Sequence, residues 1–322
     1  MAIHRHDRHA SRAAHTILAE KIWGALRDLG VARGRVLVTG PYAATLAGAP
    51  APVRRADTGY RELVAAIPRV GWPHEGVRLA QLTPYDPAQH DVVIANIPLA
   101  SLHARSVHGA RRFQQVHQGL LARAVAHTFP GGVVVAVAAR QVLDHPIDTI
   151  RRFLLTQRAQ LLGAVRLPGT VLHPRLGNDQ ASPIDLLILR RPLPDEALEP
   201  AECLSSVPVN VPGGVEQINE WYALHHPDHV IGRPRAVADP DRGGTRYTVE
   251  HGEDQWDSAL ETTLAQVTGV ARDRGLTAVS ASWDPPDSRL APQADWSAQA
   301  TTWSATPRRP DAGPGPDNVP GL

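Results

Sequence analysis

Apolar residues in TILAEKIWGALRDLG (16–30) fall at Ile17, Leu18, Ile22, Trp23, Leu26 and Leu29. That 3.6-residue spacing predicts an amphipathic helix, stopped by Gly30. RVLVTG (35–40) reads as a short buried strand, and TGYRELVAAI (58–67) as a second helix. VRLAQL (77–82) and the stronger DVVIANI (91–97) read as strands. The run 111–129 is helical, and Pro130, Gly131 and Gly132 make a sharp turn. VVVAVAA (133–139) is a continuous β-branched run, the mark of a strand covered on both faces. A helix over 147–157 precedes two strands, 159–168 and 183–191, which form an antiparallel pair at an edge around a loop.

Strands alternating with helices over short connections predict an α/β fold with a mostly parallel sheet. In such sheets the ligand sits beyond the carboxyl ends of the strands, where Asn96 is placed. From residue 193 the texture changes. Prolines crowd 193–214, INEWYALHHPDHVIG (218–232) is a helix followed by a turn, and 254–268 is an amphipathic helix. Residues 1–14 form a flexible N-terminal arm whose HRHDRH (4–9) is either a frayed end or a metal- or phosphate-touching segment. Residues 193–272 form a C-terminal extension. Residues 273–322, rich in Pro, Ala, Ser and Asp, form a tail expected to be disordered.

Composition changes this picture little. The net charge is +1, which by itself does not point to a polyanion partner. Lys21 is the only lysine, so every other cation is an arginine. Cys203 is the only cysteine, which excludes an internal disulfide and a thiolate zinc cluster and fits a reducing compartment. No apolar stretch reaches membrane-spanning length and no leader-like run opens the chain, so the expected location is cytoplasmic, with no membrane contact. His117, His127 and His145 lack metal-ligand spacing, and Asp179 and Asp185 read as turn caps.

The segment DVVIANIPL ends in Asn96-Ile97-Pro98-Leu99. It resembles the Asn-Pro-Pro-Tyr strand end of the adenine-specific DNA methyltransferases, most of all the helicase-linked branch of plasmids and phages. HTILAEKIWGALRDLG (15–30), PGGVVVAVAARQVLD (130–144), GAVRLPGTVLHPRLGNDQASPIDLLILRR (163–191) and INEWYALHHPDHVIG match that branch in order and spacing. The resemblance implies a Rossmann-like class I methyltransferase sheet over 15–192, with S-adenosylmethionine as cofactor and DNA as substrate. It also implies a helicase or another mobile-element protein as partner. Within the family, the Asn side-chain oxygen and the next backbone carbonyl accept the adenine amino group, which must first leave the duplex. By that analogy Asn96 and Ile97 orient the amine, Pro98 stiffens the loop and Leu99 covers the base.

The chain also departs from the family. Leu99 stands where an aromatic stacks on the base, a contact worth about 1–3 kcal/mol. The cofactor turn, Gly-rich in the family and led by an acid, reads VLVTGPYAATLAG here, keeping Gly40 after Thr39. For the ribose acid the nearest candidate is Asp57, which either serves that role or caps the following helix. Gln81 stands near the adenine-binding position. Arg105, Arg111, Arg112, Arg140, Arg166 and Arg175 are candidate phosphate contacts or solvated surface cations. Three readings follow: a DNA adenine methyltransferase with a divergent cofactor site; a catalytically silent methyltransferase-like module that binds DNA or a partner protein; and an enzyme acting on RNA or a protein glutamine.

Overall fold

The computed structural model describes residues 2–49, 54, 57–68, 77–79, 90–97, 109–146, 149–174, 176–177, 180–239, 243–250 and 256–279. Helix α1 (Ala2–Asp28) takes in most of the arm segment as well as the predicted amphipathic helix. Its Leu18, Ile22 and Leu26, spaced four apart, are almost fully buried, as are Trp23 and, just past its end, Leu29. Trp23 Nε1 donates to the Leu46 carbonyl, 2.9 Å, joining α1 to the short helix α2 (Ala43–Leu46).

The sheet is built from β1 (Gly34–Gly40), β2 (Arg61–Ile67), β3 (Arg78–Leu79), β4 (His90–Asn96), β5 (Thr128–Ala139), β6 (Gln160–Leu167) and β7 (Ile184–Arg190). Their spatial order is β3-β2-β1-β4-β5-β7-β6. Strands β1, β4 and β5 are parallel neighbours. Strand β7 runs against β5 and pairs with β6 as the expected antiparallel edge hairpin. The order 3-2-1-4-5-6 of the doubly wound fold is kept, with β7 inserted. The chain is a mixed α/β protein with a mostly parallel central sheet.

Strand β2 corrects the reading of 58–67 as a helix. Tyr60, Leu63, Val64 and Ile67 imitate the helical spacing, yet the buried positions are Leu63, Ala65 and Ile67, with Ala66 exposed. That is period two, and β2 lies antiparallel to β1, Arg61 opposite Gly40. A parallel return crossover uses a dozen or more residues, usually as a helix. Here the chain turns back beside β1 instead.

Helix α3 (Gly109–Ala126) and α5 (Thr149–Gln157) match predicted helices. Short helices α4 (Gln141–Asp144) and α6 (Gly169–Leu172) follow β5 and β6. The extension contains two hairpins not foreseen, β8 (Ser206–Val211) with β9 (Gly214–Asn219), and β10 (Arg233–Ala238) with β11 (Thr245–Glu250). The helix predicted at 218–232 is one π-turn (Trp221–His225) and one 3-10 turn (Pro227–His229). Helix α7 (Trp256–Asp273) matches the predicted 254–268.

Two apolar cores sandwich the sheet. One holds Val36, Val38, Ile94 and Val135 under α1 and α7; the other holds Leu37, Val93, Ala95 and Val134 with α3, α5 and the extension. At Gly163 a β-carbon would press into the Val267 side chain of α7, so the glycine sets how closely that helix sits on β6. Among the described residues no helix is long and apolar enough to cross a membrane.

Candidate functional site at the carboxyl edge of the sheet

The strand order reverses between β1 and β4, which end at Gly40 and Asn96. This switch point is where an open α/β sheet receives its ligand. The two ends touch: Gly40 has φ 103°, and a β-carbon there would overlap the Asn96 carbonyl oxygen. Glycine is required by this approach of two backbones.

Asn96 is 6% exposed. Its Nδ2 donates to the Pro41 carbonyl, 2.7 Å, and lies 3.2 Å from His15 Nε2. His15 Nδ1 lies 2.7 Å from the Ser11 carbonyl. A carbonyl only accepts, so the His15 proton sits on Nδ1 and Nε2 accepts from Asn96. Burial depresses the His15 pKa to about 4, against a helping bond from Ser11 and with His173 adding repulsion, so the ring is neutral. Both amide hydrogens of Asn96 thus have protein acceptors, and Oδ1 is the end left to accept an external amine. Ile97 is anchored by its N–H to the Val137 carbonyl, 2.9 Å, and is buried in the second core.

The turn after β1 closes over this asparagine. Tyr42 sits in the left-handed region, φ 58°, and its ring stacks on His15 at 4.0 Å and 21°. Asp57 is fully buried and caps α2, accepting from the N–H groups of Ala44 (2.8 Å) and Thr45 (2.6 Å). Its backbone carbonyl accepts from Tyr42 N–H, 2.6 Å. Burial raises the Asp57 pKa while those N–H bonds oppose the rise. No helix follows Asp57; it caps the one before it, and both carboxylate oxygens are engaged there. The described residues of this turn therefore do not fit S-adenosylmethionine: Gly40 abuts Asn96, Asp57 is sealed under α2, and Tyr42 with Pro41 lies against the asparagine.

Because β2 is reversed, its first residues stand at the carboxyl edge. Glu62 lies opposite Thr39 in the ladder and pairs with Arg123 of α3 at 3.1 Å. Burial, followed by the nearby Glu62 charge, raises the Tyr60 pKa. An acid therefore does reach the switch edge, but as Glu62 and not Asp57. Sequence reasoning missed it because the strand direction was hidden by the helix-like spacing. It missed His15 because that residue belongs to no local pattern; Asn96 lies 81 residues from it.

Arg166 corrects the phosphate-contact assignment. It is fully buried on β6, with Nε 2.8 Å and Nη2 2.9 Å from the Asp185 carboxylate and Nη2 2.8 Å from Asp144 Oδ1. The Tyr222 ring centroid lies 4.2 Å from its guanidinium carbon, and the Tyr222 hydroxyl donates to Asp185, 3.1 Å. Burial disfavours its charge, and the two aspartates overcome this to hold its pKa well above the ordinary value. It has no route to DNA in this fold, and Asp185 is its partner and not a turn cap. The same knot fastens the extension: Asn219 N–H donates to Asp144 (3.0 Å), and Trp221 Nε1 to the Ala164 carbonyl (3.0 Å). Arg140 is 15% exposed and engaged by Asp144 at 3.0 Å and Glu216 at 3.9 Å. Arg111 and Arg112 belong to α3, where only their helical backbone is described. Pro98, Leu99, Gln81, Arg105, Arg175 and Asp179 lie outside the described residues.

No family model and no curated protein matches the chain. Three of the solved structures it resembles are methyltransferases. The M protein of the type I restriction enzyme EcoKI aligns at 15% identity and TM-score 0.28, over 64% of this chain and 53% of that one. A putative class I S-adenosylmethionine-dependent methyltransferase from Listeria monocytogenes aligns at 20% identity and TM-score 0.25, over 37% and 38%. A 16S rRNA adenine methyltransferase from Catenulisporales acidiphilia, solved with S-adenosylmethionine, aligns at 16% identity and TM-score 0.24, over 36% and 60%. The chain spans less than two thirds of each of these proteins.

Proposed function

We propose that this chain is a methyltransferase-like module of the DNA adenine type that binds DNA and is catalytically silent by itself. One observation carries the silent half: the turn after β1 is filled by the chain's own groups, with Pro41 bonded to Asn96 and Tyr42 stacked on His15. The DNA half rests on the resemblance of 91–99, 163–191 and 218–232 to the DNA branch. Arg105, Arg111, Arg112 and Arg175 are the arginines proposed to meet phosphate. A helicase or other mobile-element protein is the proposed partner, and the cytoplasm the proposed location.

A second reading, an active adenine methyltransferase, is favoured by Asn96 itself. Its carboxamide is held by His15 and Pro41 with the oxygen as the free acceptor, the orientation an amine needs. In that reading His15 is a positioning residue, Asn96 and the Ile97 carbonyl receive the amine, Pro98 and Leu99 complete the pocket, and Thr39 and Glu62 line its edge. The two readings part on one experiment. Purified chain is incubated with tritiated S-adenosylmethionine and duplex DNA, beside Asn96→Ala, while duplex binding is measured across salt. The silent module binds duplex with a salt-dependent constant and incorporates no label above the Asn96→Ala control. Label that depends on Asn96 establishes the enzyme instead.

A further inference from the structure

We propose that His226, Asp228 and His229 form a site for a divalent transition-metal ion of the zinc class. One ligand atom from each of the three lies within 4.8 Å of the others. Four-coordinate zinc bonds of about 2.0–2.2 Å place ligand atoms about 3.3 Å apart; imidazole lone pairs lie in the ring plane, so closing the set needs the partly exposed His226 to turn out of its stack on His229. Asp228 is exposed and His226 is partly exposed, which leaves both free to rotate.

The local chain explains the convergence. The π-turn ends with His226 N–H bonded to the Trp221 carbonyl at 2.7 Å, and the 3-10 turn after it bonds His229 N–H to the His226 carbonyl at 3.1 Å. Pro227 starts that second turn. The two imidazoles face one another at 4.6 Å and 21°.

His229 carries the decisive detail. It is 6% exposed, and its Nδ1 is 3.1 Å from the Ala164 carbonyl of β6. That carbonyl can only accept, so the proton is on Nδ1 and Nε2 presents a lone pair. A backbone carbonyl holding the second ring nitrogen is the usual outer support of a metal-bound histidine. The same carbonyl accepts from Trp221 Nε1, and the indole packs on His226 at 4.0 Å, giving the site an apolar wall. Glu202 Oε2 stands 3.8 Å from His226 Nε2, outside the three-residue set. Two imidazoles with a carboxylate suit zinc better than magnesium or calcium, which prefer oxygen throughout.

The test uses the full chain without an affinity tag, dialysed against chelator and titrated calorimetrically with zinc chloride. The chain opens with His4, His6 and His9, so a chain with His4→Ala, His6→Ala and His9→Ala serves as background that removes any contribution from them. In that background the site predicts one equivalent of zinc at micromolar affinity or tighter, and a zinc-dependent rise in Tm. His226→Ala and, separately, Asp228→Asn each weaken binding at least tenfold, with the zinc-free Tm of Asp228→Asn unchanged because that side chain is exposed. Loss of all binding in the arm background, or binding indifferent to both substitutions, overturns the proposal.

Discussion

Replacing Arg166 by methionine removes the cation that bridges two buried carboxylates, leaving Asp144 with Arg140 at 3.0 Å and Asp185 with no cation among the described residues. Asp185 is fully buried and Asp144 is 4% exposed, so neither gains solvent when the guanidinium goes. Breaking a buried ion pair on one side costs about 3–5 kcal/mol. The Tyr222 cation–π contact is lost too, and the extension is loosened, because Asp144 also receives the Asn219 N–H. At about 2–4 °C per kcal/mol for domains of 150–250 residues, the Tm falls by roughly 6–20 °C. Urea unfolding followed by circular dichroism measures the difference. The pH dependence adds a signature. Burial already raises the Asp185 pKa, with Arg166 opposing it; without the arginine the carboxyl rises further. A carboxyl whose folded pKa lies above its unfolded value of about 3.9 binds protons on folding, so the variant regains stability as pH falls through that raised pKa. The deficit is full at neutral and alkaline pH. Adding Asp185→Asn to Arg166→Met recovers part of the loss. A variant within about 1 kcal/mol of the parent at neutral pH, with weakened DNA binding, would refute the buried-clamp reasoning and restore Arg166 to the surface.

Other outcomes follow from the same geometry. His15 has its pKa lowered from 6.5 to about 4, equivalent to about 3 kcal/mol between its protonation states. The unfolded chain therefore binds the extra proton, and stability is lost as pH falls from about 6.5 toward 4. His15→Phe, which keeps the stack on Tyr42, flattens that part of the stability–pH curve; an unchanged curve contradicts the buried neutral ring. Asp57→Ala removes the cap on α2 and lowers stability by about 1–2 kcal/mol in chemical denaturation, without altering any measured affinity for S-adenosylmethionine. A selective loss of cofactor affinity at unchanged stability returns Asp57 to the ribose role.

The elements that could be read from the chain are those whose burial follows one clear period. The runs 92–95, 133–139 and 186–189 are apolar throughout because both faces of their strands are covered, and each lies in a strand of the central sheet. Strand β2 was hidden because Tyr60, Leu63, Val64 and Ile67 fit helical spacing while Leu63, Ala65 and Ile67 fit strand spacing, and only the pairing with β1 decides between them. The hairpins of the extension carry polar outer faces, so their strands lack a continuous apolar signal. For the site, Asn96 was legible because strand, asparagine and loop are contiguous. Arg166 was not: one arginine in VRLP looks like a surface cation, and its partners Asp144 and Asp185 lie 22 and 19 residues away in sequence. The roles of His15 and Asp57 are likewise set by contacts that form only in the folded chain.

The most direct test of the closed cofactor side is calorimetric titration of the purified chain with S-adenosylmethionine, beside a Tyr42→Gly/His15→Ala variant that opens the turn. The account predicts no heat of binding for the parent at millimolar cofactor, because the described turn after β1 is occupied by Pro41, Tyr42 and the capped α2. Saturable micromolar binding to the parent would contradict it and make the active adenine methyltransferase the correct reading.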